Sequence, residues 1–105
     1  MQTPASTSIA WPFDQARNTA TFTVRSIMDG SKPILRVKHD LDDHGWQFLS
    51  GEIIRMENAL LVGLGEVVSR DSSLYELADL PPGWEATREN IHESWTRALT
   101  PPEDA

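Results

Sequence analysis

The chain has 105 residues, with nine Lys or Arg against sixteen Asp or Glu and a formal net charge of −7. This length supports one hydrophobic core and excludes a second domain of similar size. The acidic balance excludes a nucleic-acid surface of clustered basic residues, and the absence of cysteine excludes disulfides, thiol catalysis and cysteine zinc sites. A chain without cysteine is also typical of the cytoplasm, which is the predicted location.

The two ends of the chain are polar. We predict a disordered amino-terminal tail over residues 1–10, a single domain over residues 11–99 and a frayed tail over residues 100–105. The first ten residues lack the basic and apolar regions of a signal peptide, and no apolar run is long enough to span a membrane. Trp11 and Phe13 flank a proline and are too apolar to remain in water, so we expect them to pack on the core.

The first regular segment begins near residue 20. Its alternation predicts a strand that ends at about Thr23. Val24, Ile27 and Met28 then have the spacing of a helical face, which predicts a short helix that Gly30 can end. A continuous hairpin that turns at the Asp-Gly pair is the alternative.

Residues 34–51 form the predicted centre of the fold. Two apolar runs, residues 34–37 and 46–49, flank an acidic turn over residues 39–45. Each run alternates as a half-buried strand does, and the turn supplies aspartates and a glycine. The segment therefore predicts a β-hairpin or two adjacent strands.

The next segments predict a strand and a helix. Residues 60–64 are apolar and of strand length, which favours a central strand covered on both faces. Residues 65–69 either prolong this strand through a bend or begin a short helix. Asp71 is a strong cap for a following helix, which residues 81–83 would end because they read Pro-Pro-Gly.

The last segments predict an edge strand and a helix. Residues 84–88 suit a final edge strand with Trp84 facing inward. Ile91, Trp95 and Leu99 recur every fourth residue, which indicates the narrow apolar stripe of a helix over residues 89–99.

Together these segments predict an α+β fold. We expect one small domain with an antiparallel sheet of about four or five strands and short helices packed on one side. The pattern does not fix the order of the strands. The side chains assigned to the core are Phe22, Ile34, Val37, Trp46, Phe48, Leu61, Leu64, Leu77 and Trp84.

Metal binding at the acidic turn is one candidate chemistry. An EF-hand loop that starts at Asp40 would need a carboxylate at its twelfth position, which is Gly51. Imidazole and carboxylate groups also suit a transition metal, although spacing in a turn does not aim them at one point. A metal-binding protein or metal-dependent hydrolase is therefore an alternative function, with the ligands His39, Asp40, Asp43 and His44.

Catalytic and cofactor motifs are missing from the sequence. No serine lies in a G-x-S-x-G elbow, and the glycines at positions 63 and 65 are not followed by the third glycine of a dinucleotide fingerprint. We therefore predict no enzyme and no cofactor. The four tryptophans favour core packing, and an oligomer interface on a Trp-rich face is a further alternative.

A family resemblance covers the middle and later part of the chain. It rests on residues 45–51, which read Gly-Trp-Gln-Phe-Leu-Ser-Gly, together with the apolar run at 60–64, Asp-Ser-Ser-Leu at 71–74 and Leu-Pro-Pro-Gly at 80–83. In this order the sequence resembles a bacterial family of uncharacterised small domains grouped with immunity protein family 33 of polymorphic toxin systems. The family usually has an acidic pair after the Ser-Gly, whereas Glu52 stands alone here. The resemblance implies a binding role and transfers no catalytic residue.

The residues and the resemblance lead to one predicted function. We expect a small acidic protein that acts by binding a protein partner, such as a basic toxin domain that it neutralises. Nucleic acid and membrane partners are not expected, and a homo-oligomer remains open. The predicted contact surface consists of Asp40, Asp42, Asp43, His44 and Glu52.

Overall fold

A six-stranded sheet forms the frame of the protein in a computed structural model that describes residues 10–101. The strands are β1 (Ala20–Val24), β2 (Arg36–His39), β3 (Trp46–Leu49), β4 (Ala59–Gly63), β5 (Trp84–Thr87) and β6 (Thr96–Leu99). Their order across the sheet is β4-β1-β3-β2-β5-β6, and β1 and β3 are parallel while the other neighbours are antiparallel. The helical segments are α1 (Arg25–Met28), α2 (Leu64–Val68) and the 3-10 helices Met56–Asn58 and Ser72–Leu77.

The α+β class is confirmed, but the details of the sheet differ from the prediction. The sheet has six strands instead of four or five, and it is mixed instead of antiparallel. The chain reverses direction through α1 and a loop between β1 and β2, and reverses again in the β2–β3 hairpin. β3 therefore runs in the same direction as β1, and the hairpin places it beside β1.

The sixth strand replaces the helix predicted for residues 89–99. Ile91 is 55% exposed and Leu99 is 66% exposed, so this segment has no continuous apolar face to bury. Short helices depend on such burial for their stability. Residues 96–99 instead pair with β5, which therefore lies inside the sheet and is not the predicted edge strand.

The predicted central hairpin is confirmed. β2 and β3 pair in an antiparallel register that places His39 opposite Trp46, and the Asp40 N–H donates to the Gly45 carbonyl at 2.8 Å. The helix predicted after β1 is also present as α1, and Gly30 follows it with a φ of 85°. Glycine suits this left-handed conformation because it has no Cβ.

The strand predicted over residues 60–64 exists, but its predicted position was wrong. β4 is an edge strand, and its central residue Leu61 is 75% exposed. Phe22 lies opposite Leu61 in β1 and is only half-buried. Both side chains therefore lie on the face of the sheet that the helices do not cover, and Leu61 does not belong to the core.

The core lies on the other face of the sheet. β2, β3 and β5 contribute Val37, Phe48 and Ala86, which share this face because the first pairs with each of the others. The helical segments cover them with Ile27 and Val67, among others. Of the predicted core, Trp84 is half-buried against this cluster, and the buried members are Ile34, Val37, Trp46, Phe48, Leu64 and Leu77.

The aromatic segment near the amino terminus packs as expected. Phe13 is buried, and its ring centroid lies 5.1 Å from that of Trp11 and 5.3 Å from that of Trp46. The predicted tails lie outside the described residues except for positions 10, 100 and 101. Within residues 10–101, no helix has the length and apolar character needed to cross a membrane.

Candidate functional site

The acidic turn, residues 40–45, joins β2 to β3 and has a defined shape. Asp40 accepts two hydrogen bonds from Gln47 Nε2, at 2.9 and 3.1 Å. Asp43 Oδ1 accepts the Gly45 N–H at 2.8 Å, as in an Asx turn. His44 has a φ of 60°, a conformation that non-glycine residues adopt infrequently. These contacts hold the chain in a tight reversal between the two strands.

The aspartates of the turn carry negative charge that no basic side chain within residues 10–101 pairs with. Asp42, Asp43 and His44 are exposed, and Asp40 is half-buried. None of the salt bridges among residues 10–101 involves the three aspartates. Two basic side chains, Arg36 and Lys38, line the shallow groove beside them. The turn is therefore an accessible group of carboxylates at one end of the sheet.

Next to the turn lies a depression of about 370 Å³ on the uncovered face of the sheet. We call it the open-face depression. Phe22, Gln47 and Leu61 line it together because the strand register places Phe22 opposite Gln47 in β3 and opposite Leu61 in β4. Asp40 and Asp43 line the same depression. Exposed apolar and acidic side chains thus meet on one surface.

Glu52 does not belong to this surface. It follows β3, whereas the acidic turn precedes β3, so the two lie at opposite ends of the hairpin. Its carboxylate instead forms a 2.7 Å salt bridge with Lys32. The prediction that Glu52 joins the turn was wrong because the strand separates residues that are close in sequence.

The predicted metal ligands are not assembled either. His39 is 6% exposed on the core face, where its Nδ1 lies 2.6 Å from the Leu80 carbonyl oxygen and its ring stacks on Trp46. Asp40 extends to the open face, since successive side chains of an extended chain alternate. Residues 10–101 contain no group of three or more His, Cys, Asp or Glu that could hold a metal ion. The set of His39, Asp40, Asp43 and His44 therefore does not converge.

A larger cleft, of about 1070 Å³, is lined by residues 30–35, 70–73 and 88–92, and no sequence pattern predicted it. Arg88 is buried in its wall and donates four hydrogen bonds, two to the Ile34 carbonyl, one to Ser73 and one to Asp71. Trp95 lies over the guanidinium at 4.1 Å and donates its indole N–H to Ser73.

We call Arg88, Asp71, Ser73 and Trp95 the Arg88 cluster. It joins three parts of the fold and leaves the guanidinium few free N–H donors. A guanidinium has five N–H donors, and Arg88 donates four hydrogen bonds within the protein, which leaves one donor. The sequence signal was partial, because Asp71 was recognised as a cap and accepts the Ser73 N–H at 2.9 Å. Nothing marks Arg88 as buried, since arginine is mostly exposed in proteins.

The cluster predicts an acid-sensitive contribution to stability from Asp71. Burial raises the pKa of its carboxyl, but hydrogen bonds from Arg88 and Ser73 and the Arg88 charge outweigh burial and hold the pKa below the ordinary 3.8. A depressed folded-state pKa stabilises the protein above pH 3.8, and this contribution is lost as the pH falls through the folded-state value.

Urea unfolding of the wild type and of Asp71→Asn from pH 7 to pH 2.5 tests this expectation. The wild type should be the more stable protein at neutral pH, and the difference should narrow below the ordinary pKa of 3.8. A difference that stays constant over the whole range would show that ionisation of Asp71 does not stabilise the fold.

The four tryptophans do not form an exposed face. Trp46 is buried, and the other three, Trp11, Trp84 and Trp95, are half-buried against the core. The predicted Trp-rich oligomer interface therefore has no counterpart among residues 10–101.

Comparisons of the chain with protein-family models, curated proteins and solved structures find no match. The resemblance to the immunity family remains a prediction from the residues that carry it.

Proposed function

We propose that this protein is a non-catalytic binding protein that takes a basic protein partner on the acidic turn and the open-face depression. The observation that carries the proposal is that Asp40, Asp42 and Asp43 have no salt bridge among residues 10–101. Asp40 and Asp43 also line the same depression as the exposed Leu61. Carboxylates favour a cationic partner and accelerate its encounter, while buried apolar area contributes affinity.

The net charge supports the same kind of partner. At −7, the whole chain attracts a basic protein and repels an acidic one. At physiological ionic strength this attraction is screened over about 8 Å, so the carboxylates in the interface itself contribute more to the attraction than distant charges do. Glu52 is not part of the proposed surface, whereas His44 remains at its rim.

The biological role in this proposal is that of an immunity protein. The resemblance around residues 45–51 implies neutralisation of a toxin, and a basic toxin domain fits the acidic surface. Neutralisation by masking needs neither a cofactor nor a catalytic residue. The cytoplasm is the proposed location because the cysteine-free composition suits it.

Replacing the three aspartates of the turn with asparagine should weaken partner binding by at least about tenfold, since electrostatic steering changes association by this order or more. Asparagine keeps an acceptor oxygen for the Gly45 N–H and for Gln47, so the turn should retain its shape. The measurement is retention of proteins from the native cell on the tagged wild type and on the variant, at low and high salt.

A matched variant separates a local effect from net charge. Glu76→Gln, Glu89→Gln and Glu93→Gln together remove three exposed charges away from the turn, so both variants go from −7 to −4. We expect a partner that the wild type and the glutamine variant retain at low salt and that the asparagine variant does not. Equal retention on all three proteins would refute the acidic turn as the contact surface.

A further inference from the structure

The outer edge of β4 presents free backbone groups. β4 ends the sheet, and no strand within residues 10–101 pairs with its outer side. The Leu64 N–H donates to the Thr19 carbonyl at 2.8 Å. In the antiparallel β1–β4 register, this bond shows which opposite residues are hydrogen-bonded pairs and which are not. Hydrogen-bonded pairs alternate in such a ladder, so Leu60 and Val62 bond towards β1 while the N–H and C=O of Leu61 point outward.

The groups next to Leu61 are consistent with this alternation. The Ala59 N–H, which also points outward, donates to the Met56 carbonyl at the end of the 3-10 helix. By this alternation Leu61 makes no hydrogen bond to β1, and no turn or loop bond within residues 10–101 involves its N–H or C=O. An edge strand with free groups of this kind is a template for an added strand.

The sequence of β4 also lacks the charged residues and the proline that discourage strand addition. β4 reads Ala-Leu-Leu-Val-Gly, with no charge and no proline, and Leu61 at its centre is 75% exposed. The opposite edge differs, because β6 carries Arg97, which forms a 2.7 Å salt bridge with Asp79. Charged side chains on an edge strand discourage pairing. The two edges of the sheet are therefore not equivalent.

The charges around β4 select the kind of strand that could add. Glu57 lies just before β4 and Glu66 just after it, and both are exposed. Asp40 and Asp43 lie in the open-face depression that Leu61 also lines. The nearby Arg17 guanidinium is placed over the Trp11 ring, 4.3 Å from its centroid. A cationic segment is favoured here, whereas a second copy of a chain with charge −7 is repelled.

We infer that an extended cationic segment of the partner adds to the outer edge of β4 as a seventh strand. This inference rests on the proposed function, because it specifies how the basic partner is held. The backbone of Leu61 bonds to the added strand, and Leu61 and Phe22 pack against its apolar side chains. Its basic side chains lie near Glu57 and Glu66, which flank β4, and Asp40 and Asp43 attract them at longer range.

The test uses the full chain, labelled for NMR, and synthetic peptides as probes. The first peptide alternates lysine and valine over eight residues. The second has the same sequence but is N-methylated at two adjacent central residues, which removes one N–H from each of its edges. The third replaces lysine with glutamate. We expect the first peptide to shift the Leu61 and Gly63 amide signals and to slow hydrogen exchange at Leu61, the second to bind at least tenfold more weakly, and the third not to bind.

Two variants provide the matched comparison. Leu61→Lys and Leu99→Lys place the same charge on exposed leucines of the two edge strands, so their net charges are equal. Only Leu61→Lys should weaken binding of the lysine-valine peptide, by at least tenfold. Equal effects of the two variants, or shifts confined to β6, would overturn the β4 assignment.

The remaining outcomes separate this inference from the proposed function. If both cationic peptides bind equally and replacement of the three turn aspartates abolishes binding, the acidic surface binds basic partners but not by strand addition. If neither cationic peptide binds, both the inference and the basic-partner proposal fail. Leu61 signals that shift with protein concentration alone would assign the edge to a second copy and overturn the inference.

Discussion

Replacing Arg88 with methionine should lower the free energy of unfolding by about 3 kcal/mol, the lower end of the cost of removing one partner of a buried ion pair, because the Asp71 side chain is 23% exposed. The Arg88 side chain is 2% exposed and joins the carbonyl of Ile34, the hydroxyl of Ser73 and the carboxylate of Asp71. Methionine fills the space of the arginine stem but donates no hydrogen bond. The carboxylate and the buried carbonyl would then lack their partner, and that loss dominates the effect.

Urea denaturation at pH 7, followed by far-UV circular dichroism, measures the change. Arg97→Met is the matched control, because Arg97 pairs with Asp79, whose side chain is 81% exposed. Exposed ion pairs contribute about 0–1 kcal/mol, so the control should unfold close to the wild type. Losses of similar size in the two variants would mean that burial of Arg88 adds nothing to its interactions.

Local signals in the sequence were sufficient for the centre of the fold. The β2–β3 hairpin, the short helix after β1 and the Asp71 cap each depend on residues that are adjacent in the chain. Alternation and turn chemistry describe such local preferences directly. The same signals placed six of the nine predicted core side chains correctly as buried.

Neighbours that are distant in sequence decided the parts that were not predicted. The apolar run of β4 has the composition of a covered strand, yet it lies at an edge where Leu61 is exposed. Residues 96–99 carry part of a helical spacing, yet pairing with β5 makes them a strand. A single sequence contains the preference of each segment but not the identity of its partner, and pairing overrides weak preferences.

The candidate site was predicted in the same uneven way. The turn aspartates lie side by side because they share one loop, with Asp42 and Asp43 exposed and Asp40 half-buried, so sequence proximity was a sufficient guide. His39 directly precedes the turn and Glu52 follows the next strand, but the first faces the core because side chains alternate along β2, and the second lies at the far end of β3. Phe22 and Leu61 adjoin the turn only through the β1–β3 and β1–β4 registers, which no local pattern contains.

Trp46 is the side chain whose removal should rival that of Arg88. Its ring stacks on His39 at 4.0 Å and on Phe48 at 6.1 Å, and it meets Phe13 edge-on at 5.3 Å. Trp46→Ala would open a cavity among these rings, and large-to-small core substitutions of this kind cost about 3–5 kcal/mol. The same urea experiment, read by circular dichroism because a fluorophore is lost, measures the change.

Trp46→Phe separates packing from hydrogen bonding at this position. Phenylalanine retains an aromatic ring in the stack but loses the indole N–H that donates to Gln15 Oε1 at 3.1 Å. A single hydrogen bond contributes about 0.5–1.5 kcal/mol, so this variant should keep most of the stability that alanine loses. Equal destabilisation by both variants would contradict this order, because it would show that a phenylalanine ring does not restore the stability that the indole provides. We expect Trp46→Ala to destabilise the protein more than Trp46→Phe, which would assign most of the contribution of Trp46 to ring packing. Trp46 is the first residue of β3 after the acidic turn, so its packing in the core fixes the position at which the turn ends.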